Sequence, residues 1–332
     1  MKHNQDNPRA LASRARVGDM LLRRGTAVGM LVIILILGIR APSFFTFKNL
    51  MDILKQSGIL VLIAISQTIV LISGGFDMSA GALLQLTANL SAGFVLAGHG
   101  TGTAILIGLA TGVLVGVINA FFVVKVHVPS FVATLGMMLV MNGVTTWYND
   151  GKSITLRNET AFFTLGQGYI GPIPILFVIV LAFIACIHLF LKHTRTGLRM
   201  YAVGENSQAA HIRGVRQEMA LTISFIMAGA LVGLTGVFQA SYSYGSSAIA
   251  AGLDFLLNAL AASLLGTTYS RTGELSVIGT AVSALFISSL SSGLIANGVS
   301  NLLQPGVLGL ILVVSVLLTV IRKREIGQVT IF

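Results

Sequence analysis

The sequence predicts an all-α, polytopic integral membrane protein with about ten transmembrane helices. Three observations predict this class: 55% of the 332 residues are hydrophobic, only 10% are charged, and the mean hydropathy is +0.88. A water-soluble domain needs more charge than this on its surface, so the apolar segments must lie in a bilayer. The net charge of +10 fits the basic side of a membrane better than a nucleic-acid surface, and we expect no nucleic-acid partner.

Ten segments are apolar enough to cross a bilayer core, which takes about 20 helical residues. They are 25–41, 57–73, 80–98, 103–124, 129–148, 173–191, 220–240, 253–269, 277–297 and 300–321. The predicted domain organisation is a basic N-terminal tail over 1–24, a single transmembrane domain over 25–321 and a C-terminal tail over 322–332. No internal repeat is evident among the segments.

The distribution of basic residues predicts the orientation. If the N-terminus lies in the cytoplasm, sixteen of the 21 Lys and Arg residues fall on the cytoplasmic side and five on the other side. Cytoplasmic loops carry such an excess, so both termini are expected in the cytoplasm. The longest cytoplasmic connection is then 192–219. The first segment lacks a cleavage site with small residues, so we interpret it as a retained span rather than a signal peptide.

Glycines four residues apart occur in two of the segments. Such residues share one helix face and let two backbones approach closely. Close packing of this kind drives helix association in a bilayer, where the hydrophobic effect does not. They predict helix contacts rather than ligand contacts at Gly108, Gly112, Gly116, Gly229 and Gly233.

The polar side chains inside the segments are mostly neutral amides. Such groups suit the lining of a path for an uncharged polar solute, and hydrogen bonds between helices explain them equally. The candidates for path lining are Gln67, Gln85, Asn89, Asn142 and Asn258.

Two carboxylates lie near segment limits, Asp77 and Asp254. A carrier driven by an ion gradient needs ionisable groups within its spans, since those groups move the charge. The two are therefore the coupling sites of an alternative function, an ion-coupled secondary carrier. The absence of deeper ionisable groups argues against that alternative.

The sequence shows no constellation typical of an enzyme. The closest pair of histidines, His188 and His193, is five residues apart, which does not place both on one helix face. The stretch "DGKS" at 150–153 lacks the earlier glycine of a phosphate-binding loop, because residue 146 is threonine. We expect no catalytic residue, no metal and no cofactor bound by this chain.

The stretch "GGFDMSAG" at 74–81 interrupts two of the most apolar segments. Its glycines let the chain leave the preceding helix, and Asp77 or Ser79 can cap the next helix by accepting bonds from its free amides. We therefore expect a structural cap rather than a proton-carrying group, and such a break can also form part of a translocation path. The residues of this helix-break motif are Gly74, Gly75, Asp77, Ser79 and Gly81.

The loop 192–219 contains a short predicted helix from Asn206 to Gly214, with a capping residue, an alanine-rich centre and a terminal glycine. A helix of two turns is marginal in water, so either this protein or a partner must hold it. The residues alone leave two interpretations open: a solvated basic loop and a docking helix for a cytoplasmic partner.

Four motifs occur in a fixed order along the chain. They are "GGFDMSAG" at 74–81, "VPSFVATLGMM" at 128–138, "TRTGLRMYAVGENSQAAHIRGV" at 194–215 and "GTTYSRTGELSVIGT" at 266–280. In this order, from about residue 44 to 321, the chain resembles the permease subunits of bacterial ATP-binding-cassette (ABC) sugar importers of the ribose/xylose/galactose type.

The resemblance implies a function in the bacterial cytoplasmic (inner) membrane: translocation of a neutral sugar or sugar-like solute into the cytoplasm. ATP and Mg would bind to partner ATPase subunits, so this chain would not itself be an enzyme. The other implied partners are a periplasmic or extracellular solute-binding protein, a second permease copy or a paralogue, and membrane lipid. The implied ATPase-coupling residues are Gly204, Glu205, Asn206, Ala209, Ala210, Arg213 and Gly214.

The chain departs from the family pattern at one turn. Glu274 stands where the family commonly has an arginine. Because this change reverses a charge, the contact of that turn must differ or be compensated.

Overall fold

The computed structural model describes residues 29–157, 160–246, 250–270, 273–300, 303–307 and 309–310. Within these ranges the chain is mostly helical, and six helices are long and apolar enough to cross a membrane. The predicted class, a polytopic all-α membrane protein, is confirmed. The two predicted tails and most of the tenth predicted segment lie outside the described residues.

The described helices are α1 (Gly29–Arg40), α2 (Phe47–Ile72), α3 (Ala80–Leu96), α4 (Thr101–Ala120), α5 (Ser130–Asn149), α6 (Thr160–Gln167), α7 (Ile175–His193), α8 (Arg195–Glu205), α9 (Ser207–Ile212), α10 (Gln217–Tyr242), α11 (Ala250–Gly266) and α12 (Val277–Ala296). A π-helical turn, Phe121–Lys125, continues α4, and short 3-10 turns precede α2 and follow α11. Two antiparallel strands, β1 (Tyr169–Ile170) and β2 (Ile173–Pro174), form a small hairpin between α6 and α7.

Nine of the predicted segments coincide with described helices, and α2 differs most from its prediction. It begins about ten residues before the predicted limit, because charged residues near its start interrupt the apolar pattern. Lys55 is nonetheless buried: its Nζ lies 3.2 Å from Asp52 Oδ1 and donates to Gln167 Oε1 at 3.2 Å. Pairing of this kind lets a charge remain inside a helix bundle.

Helices α2, α3 and α10 form the centre of the bundle. The helix α2 contacts α10, α11 and α12, whereas α10 contacts α2, α3 and α4. Most residues of α2 after Ser57 are buried. By contrast, α5 and α7 expose much of their apolar surface, as helices that face lipid or another subunit do.

The bundle contains an internal repeat that the sequence did not reveal. The helices α2 and α10 each have 26 residues, α3 and α11 each have 17, and α4 and α12 each have 20. In both halves the long helix packs against the second and third helices of the other half. The repeat is not evident in the sequence, because the two halves correspond in helix length and packing, which hydropathy and motifs do not reveal.

The chain leaves the two long helices through similar turns. After α2 the Gly75 amide donates to Val70 O at 3.0 Å, and after α10 the Gly245 amide donates to Ala240 O at 2.8 Å. Each bond spans five residues, as in a helix C-terminus closed by a left-handed residue. The two long helices therefore end in a similar turn geometry.

Glycines permit the closest helix contacts. A Cβ atom on Gly112 would overlap Gly229 O, and one on Gly233 would overlap Gly108 O, so α4 and α10 run antiparallel with their backbones in contact. This confirms the predicted packing role of these glycines. A Cβ atom on Gly81 would likewise overlap Gly252 O where α3 crosses α11.

Candidate functional site

The chain turns back into the bundle after α2. Gly74 lies against Gly204 of α8 at the end of α2, whereas Asp77 O accepts a hydrogen bond from Gln67 Nε2 at 2.9 Å. Gln67 lies five residues before Ile72, the last residue of α2, which is about 7.5 Å along the helix axis at a rise of about 1.5 Å per residue, so the chain at Asp77 has turned back alongside the end of α2. The chain therefore re-enters the bundle as an extended segment, and α3 begins only at Ala80.

Side chains of α5 satisfy the backbone of the extended segment. Ser130 Oγ accepts from the Phe76 amide at 3.1 Å, and Thr134 Oγ1 accepts from the Met78 amide at 3.0 Å. Thr134 Oγ1 also lies 3.3 Å from Phe76 O. Non-helical backbone is tolerated at membrane depth only when the protein pairs its polar groups. These bonds attach α5 to the break.

Asp77 fixes the start of α3 through Ser79. Its Oδ1 accepts from Ser79 N at 2.8 Å and from Ser79 Oγ at 2.6 Å, and Asn119 Nδ2 donates to the same hydroxyl at 2.9 Å. The predicted cap is wrong in one respect, because the Ser79 side chain accepts no bond from an α3 amide. Ser79 has helical backbone angles, φ −82° and ψ −16°, rather than the extended angles of a capping residue.

The Asp77 side chain is buried, at 4% exposed, and two of the amides that bond to its segment carry an unpaired oxygen. Within the described part of the chain, no Lys, Arg or His forms an ion pair with Asp77. Gln67 Oε1 and Asn119 Oδ1, on the amides that contact this segment, are buried acceptors without a described donor. Unsatisfied polar atoms are rare in apolar interiors and mark functional or mobile elements.

The other face of the break meets α5. Phe76 and Met78 are partly exposed, and the Phe76 ring lies 6.0 Å from the Phe131 ring. One row of residues at helical spacing lies on this side of α5, and each of them is at least partly exposed. We call this row the α5 stripe. Its residues are Phe131, Leu135, Met138 and Asn142.

Three of the predicted path residues are buried within the protein. Gln67, Gln85 and Asn89 are each 1% exposed or less. Asn89 Oδ1 accepts from Asn149 Nδ2 at 2.8 Å and from Ser246 Oγ at 2.6 Å, which joins α3 to the end of α5 and to the start of the α10–α11 connection. In this conformation Gln67 and Asn89 bond to neighbouring chain segments.

The two remaining amides are more accessible. Asn142 lies on the α5 stripe and Asn258 on α11, and each is half-buried. Asp254, the second carboxylate of the alternative function, is exposed in the first turns of α11. Among the described residues, neither side-chain amide makes a hydrogen bond.

The predicted short helix is present as α9, and a second helix, α8, precedes it. Thr194 Oγ1 accepts from the Gly197 amide at 3.1 Å and caps α8, and Asn206 Oδ1 accepts from the Ala209 amide at 2.9 Å and caps α9. Gly214 follows α9 with φ +78°. Local capping therefore explains both helices of the loop.

The helix α8 is in direct contact with the break. A Cβ atom on Gly204 would overlap Ile72 O, so only glycine allows α8 to lie this close to the end of α2. Gly74, just after α2, also lies against Gly204. The α8 helix therefore lies in backbone contact with both the end of α2 and the break.

The helix α9 is held weakly and exposes an apolar side chain. Ala210 is 5% exposed and is the residue of α9 that packs against the bundle. Ile212 is 86% exposed, and Gln208 and Ala209 are also exposed. Ile212 has the highest exposed fraction among the exposed large apolar side chains of the described residues.

A cavity of about 400 Å³ separates α8 from the segment that precedes α12, and Glu205 and Glu274 both line it. Tyr201 Oη donates to Leu275 O at 3.1 Å across this space. Burial, and secondly the negative charge of Glu274, raise the pKa of Tyr201 to about 12. Glu274, which departs from the family pattern, thus faces α8 near a second carboxylate.

A bundle of membrane-spanning helices that the chain re-enters through an extended segment, with α8 in contact with that segment, fits a multi-pass membrane permease. A family model described as "Branched-chain amino acid transport system / permease component" matches residues 49–316. The chain belongs to this family. The membership confirms the predicted resemblance and the predicted place in a bacterial cytoplasmic membrane.

Several characterised permeases are similar over nearly the whole chain. The chain is 34% identical over 314 residues to a ribose import permease protein of Bacillus subtilis (strain 168), covering 94% of this chain and 96% of that protein. It is 32% identical over 302 residues to a ribose import permease protein of Escherichia coli (strain K12), covering 90% and 93%. It is 28% identical over 312 residues to the galactose/methyl galactoside import permease protein of the same organism, covering 89% and 93%.

Proposed function

We propose that this chain is the membrane-spanning subunit of an ABC importer that carries a neutral sugar or sugar-like solute into the cytoplasm. The names of the similar permeases, for ribose and for galactose, support a sugar. The accessible amides Asn142 and Asn258 support an uncharged polar solute, because amides can donate to and accept from hydroxyl groups.

The observation that carries the proposal is the exposed face of α9. A partner ATPase covers Ile212 and the neighbouring Ala209, and Asn206, Ala210 and Gly214 keep the helix in shape beneath it. ATP and Mg belong to that partner, and this chain binds no cofactor and catalyses no reaction. The other coupling residues, Glu205 and Arg213, flank α9 at the same surface.

The contacts define a route from the ATPase to the path. Closure of the ATPase domains displaces α9 and α8, and the contact of Gly204 with Ile72 and Gly74 passes the displacement to the break. The bonds of Ser130 and Thr134 pass it to α5. The ligand of the ATPase thereby biases the bundle between two states through differential contacts.

The solute path runs along the α5 stripe between two permease copies. Towards α8 the stripe is apolar, from Phe131 to Met138, and the Phe76 ring lies beside it. Towards the hairpin it becomes polar at Asn142. Gly136 and Gly143 of α5 face open space within one copy, which leaves room for a second copy or a paralogue.

The complete assembly follows from the predicted topology. The chain forms one domain of ten transmembrane helices with both termini in the cytoplasm, so α8 and α9 face the ATPase. The hairpin and α6 lie on the opposite side, where a solute-binding protein delivers the solute. The antiparallel contact of α4 with α10 supports this alternation of directions.

One observation favours the alternative, an ion-coupled carrier. Asp77 is buried without a described cationic partner, as a proton-carrying carboxylate would be. Its hydrogen bonds to Ser79 supply a structural reason for the same burial, and exposed Asp254 needs no explanation of this kind. The importer therefore remains our conclusion.

A pair of variants tests the proposal. Ile212→Asp places a charge where the ATPase docks, whereas Gln217→Asp adds the same charge at an exposed position outside α9, at the start of α10. We expect Ile212→Asp to abolish co-purification of the ATPase and Gln217→Asp to retain most of it, with both variants folded. Retention of the ATPase by Ile212→Asp would contradict this docking surface, and no ATPase binding by the wild type would contradict the importer.

A further inference from the structure

A second cavity lies where α8 meets the start of α10. Its volume is about 290 Å³, and two arginines, Arg199 and Arg216, line it together with Thr196. Both arginines are exposed. None of the lining residues is acidic. A cavity with two guanidinium groups and a hydroxyl is built to bind an anion with several oxygen atoms, because guanidinium binds phosphate in bidentate geometry.

The nearby carboxylates are engaged elsewhere. Glu218 Oε2 lies 3.8 Å from Lys125 Nζ, and Glu205 lines the other cavity. Among the described residues neither Arg199 nor Arg216 forms an ion pair. Their charge is therefore available to a ligand.

The opposite wall of the cavity is apolar and belongs to a membrane helix. Met219 and Ile223 line it, and α10 is one of the helices long enough to span a membrane. At helical spacing the same face of α10 continues through Ile226, Ala230 and Leu234, each half-buried. An acyl chain can follow this face from the cavity into the bilayer.

We propose that this cavity binds an anionic phospholipid of the membrane leaflet on the α8–α9 side. The headgroup phosphate lies between Arg199 and Arg216, and an acyl chain covers Met219 and Ile223. Basic pockets between membrane helices on the cytoplasmic side recognise lipid headgroups in this manner. Because the lipid contacts both α8 and α10, it braces the element that contacts the break.

Native mass spectrometry of the detergent-purified full chain tests the site. The ligands are phosphatidylglycerol, phosphatidylcholine as the zwitterionic lipid, and inorganic phosphate as the headgroup without acyl chains. The test variant is Arg199→Gln with Arg216→Gln. The matched control, Lys192→Gln with Arg195→Gln, removes two exposed charges of the same loop that do not line the cavity.

We expect phosphatidylglycerol to bind the wild type in preference to the other two ligands. The test variant should bind it about 30-fold more weakly, and the control variant should change less than about threefold. Equal binding of phosphatidylglycerol by the test variant and the wild type overturns the site. Binding of free phosphate as tight as that of the lipid overturns the lipid as its occupant.

The same variants separate the lipid from an acidic surface of a partner ATPase. If the test variant loses the ATPase in lipid-free detergent while its affinity for phosphatidylglycerol is unchanged, the cavity is a protein contact and the proposal fails. Thermal unfolding in phosphatidylcholine shows whether each variant is folded. The proposal does not depend on which solute the permease carries.

Discussion

Replacement of Asp77 separates its structural role from a proton-carrying role. In Asp77→Ala, two buried donors, Ser79 N and Ser79 Oγ, lose their acceptor. Each unsatisfied donor costs about 1–3 kcal/mol, so the variant should lose about 2–6 kcal/mol of stability. In Asp77→Asn the Oδ1 acceptor remains, and the loss of the charge should cost only about 1–2 kcal/mol.

The assay is thermal unfolding of the purified chain combined with solute uptake by cells that express it. We expect Asp77→Asn to fold and to retain most of the uptake, whereas Asp77→Ala should unfold at a clearly lower temperature. Asp77→Asn as unstable as Asp77→Ala would refute the role of the Oδ1 acceptor. A stable Asp77→Asn without any uptake would instead support a carboxylate that moves a proton.

Three further predictions test the contacts around the site. Gly112→Ala should lower the free energy of unfolding by about 1–3 kcal/mol, because the added Cβ overlaps Gly229 O. Gly102→Ala, a control in the same helix with open space around it, should leave the free energy of unfolding unchanged. Equal unfolding temperatures of the two variants would contradict the α4–α10 contact. Gly204→Ala should keep the ATPase bound but reduce solute-stimulated ATP hydrolysis about tenfold, because the added Cβ overlaps Ile72 O. Unchanged stimulation would show that α8 does not couple the ATPase to the break. Tyr201 should ionise near pH 12, which the difference in ultraviolet titration between the wild type and Tyr201→Phe would measure. Because its pKa is raised above that of the unfolded chain, the stability contributed by the neutral phenol is complete below about pH 10 and is lost as the pH rises through about 12. Ionisation of Tyr201 near pH 10 would contradict its burial.

Hydropathy predicted the fold class and most of the helices, because the length of an apolar run is a local property of the sequence. It misplaced the start of α2, where Lys55 pairs with Asp52 and donates a hydrogen bond to the distant Gln167, and no window along the chain contains that second partner. It also missed α6 and α8, which are short or amphipathic and carry no apolar run.

The motifs located the break and α9, but not the bonds that hold them. The motif "VPSFVATLGMM" already contained Ser130 and Thr134, yet their partners, Phe76 and Met78, are more than fifty residues away in sequence. The exposure of Ile212 and the closeness of Gly204 to Ile72 likewise depend on tertiary packing. The repeat was hidden for the same reason, since its halves agree in geometry more than in residues.

Uptake by proteoliposomes tests the central claim most directly. The chain is reconstituted with its ATPase, the solute-binding protein is added outside, and labelled ribose or galactose is supplied with or without enclosed ATP. We predict uptake that requires ATP and the ATPase and that does not change when proton or sodium gradients are abolished. Uptake driven by such a gradient without ATP would contradict the account and identify an ion-coupled carrier.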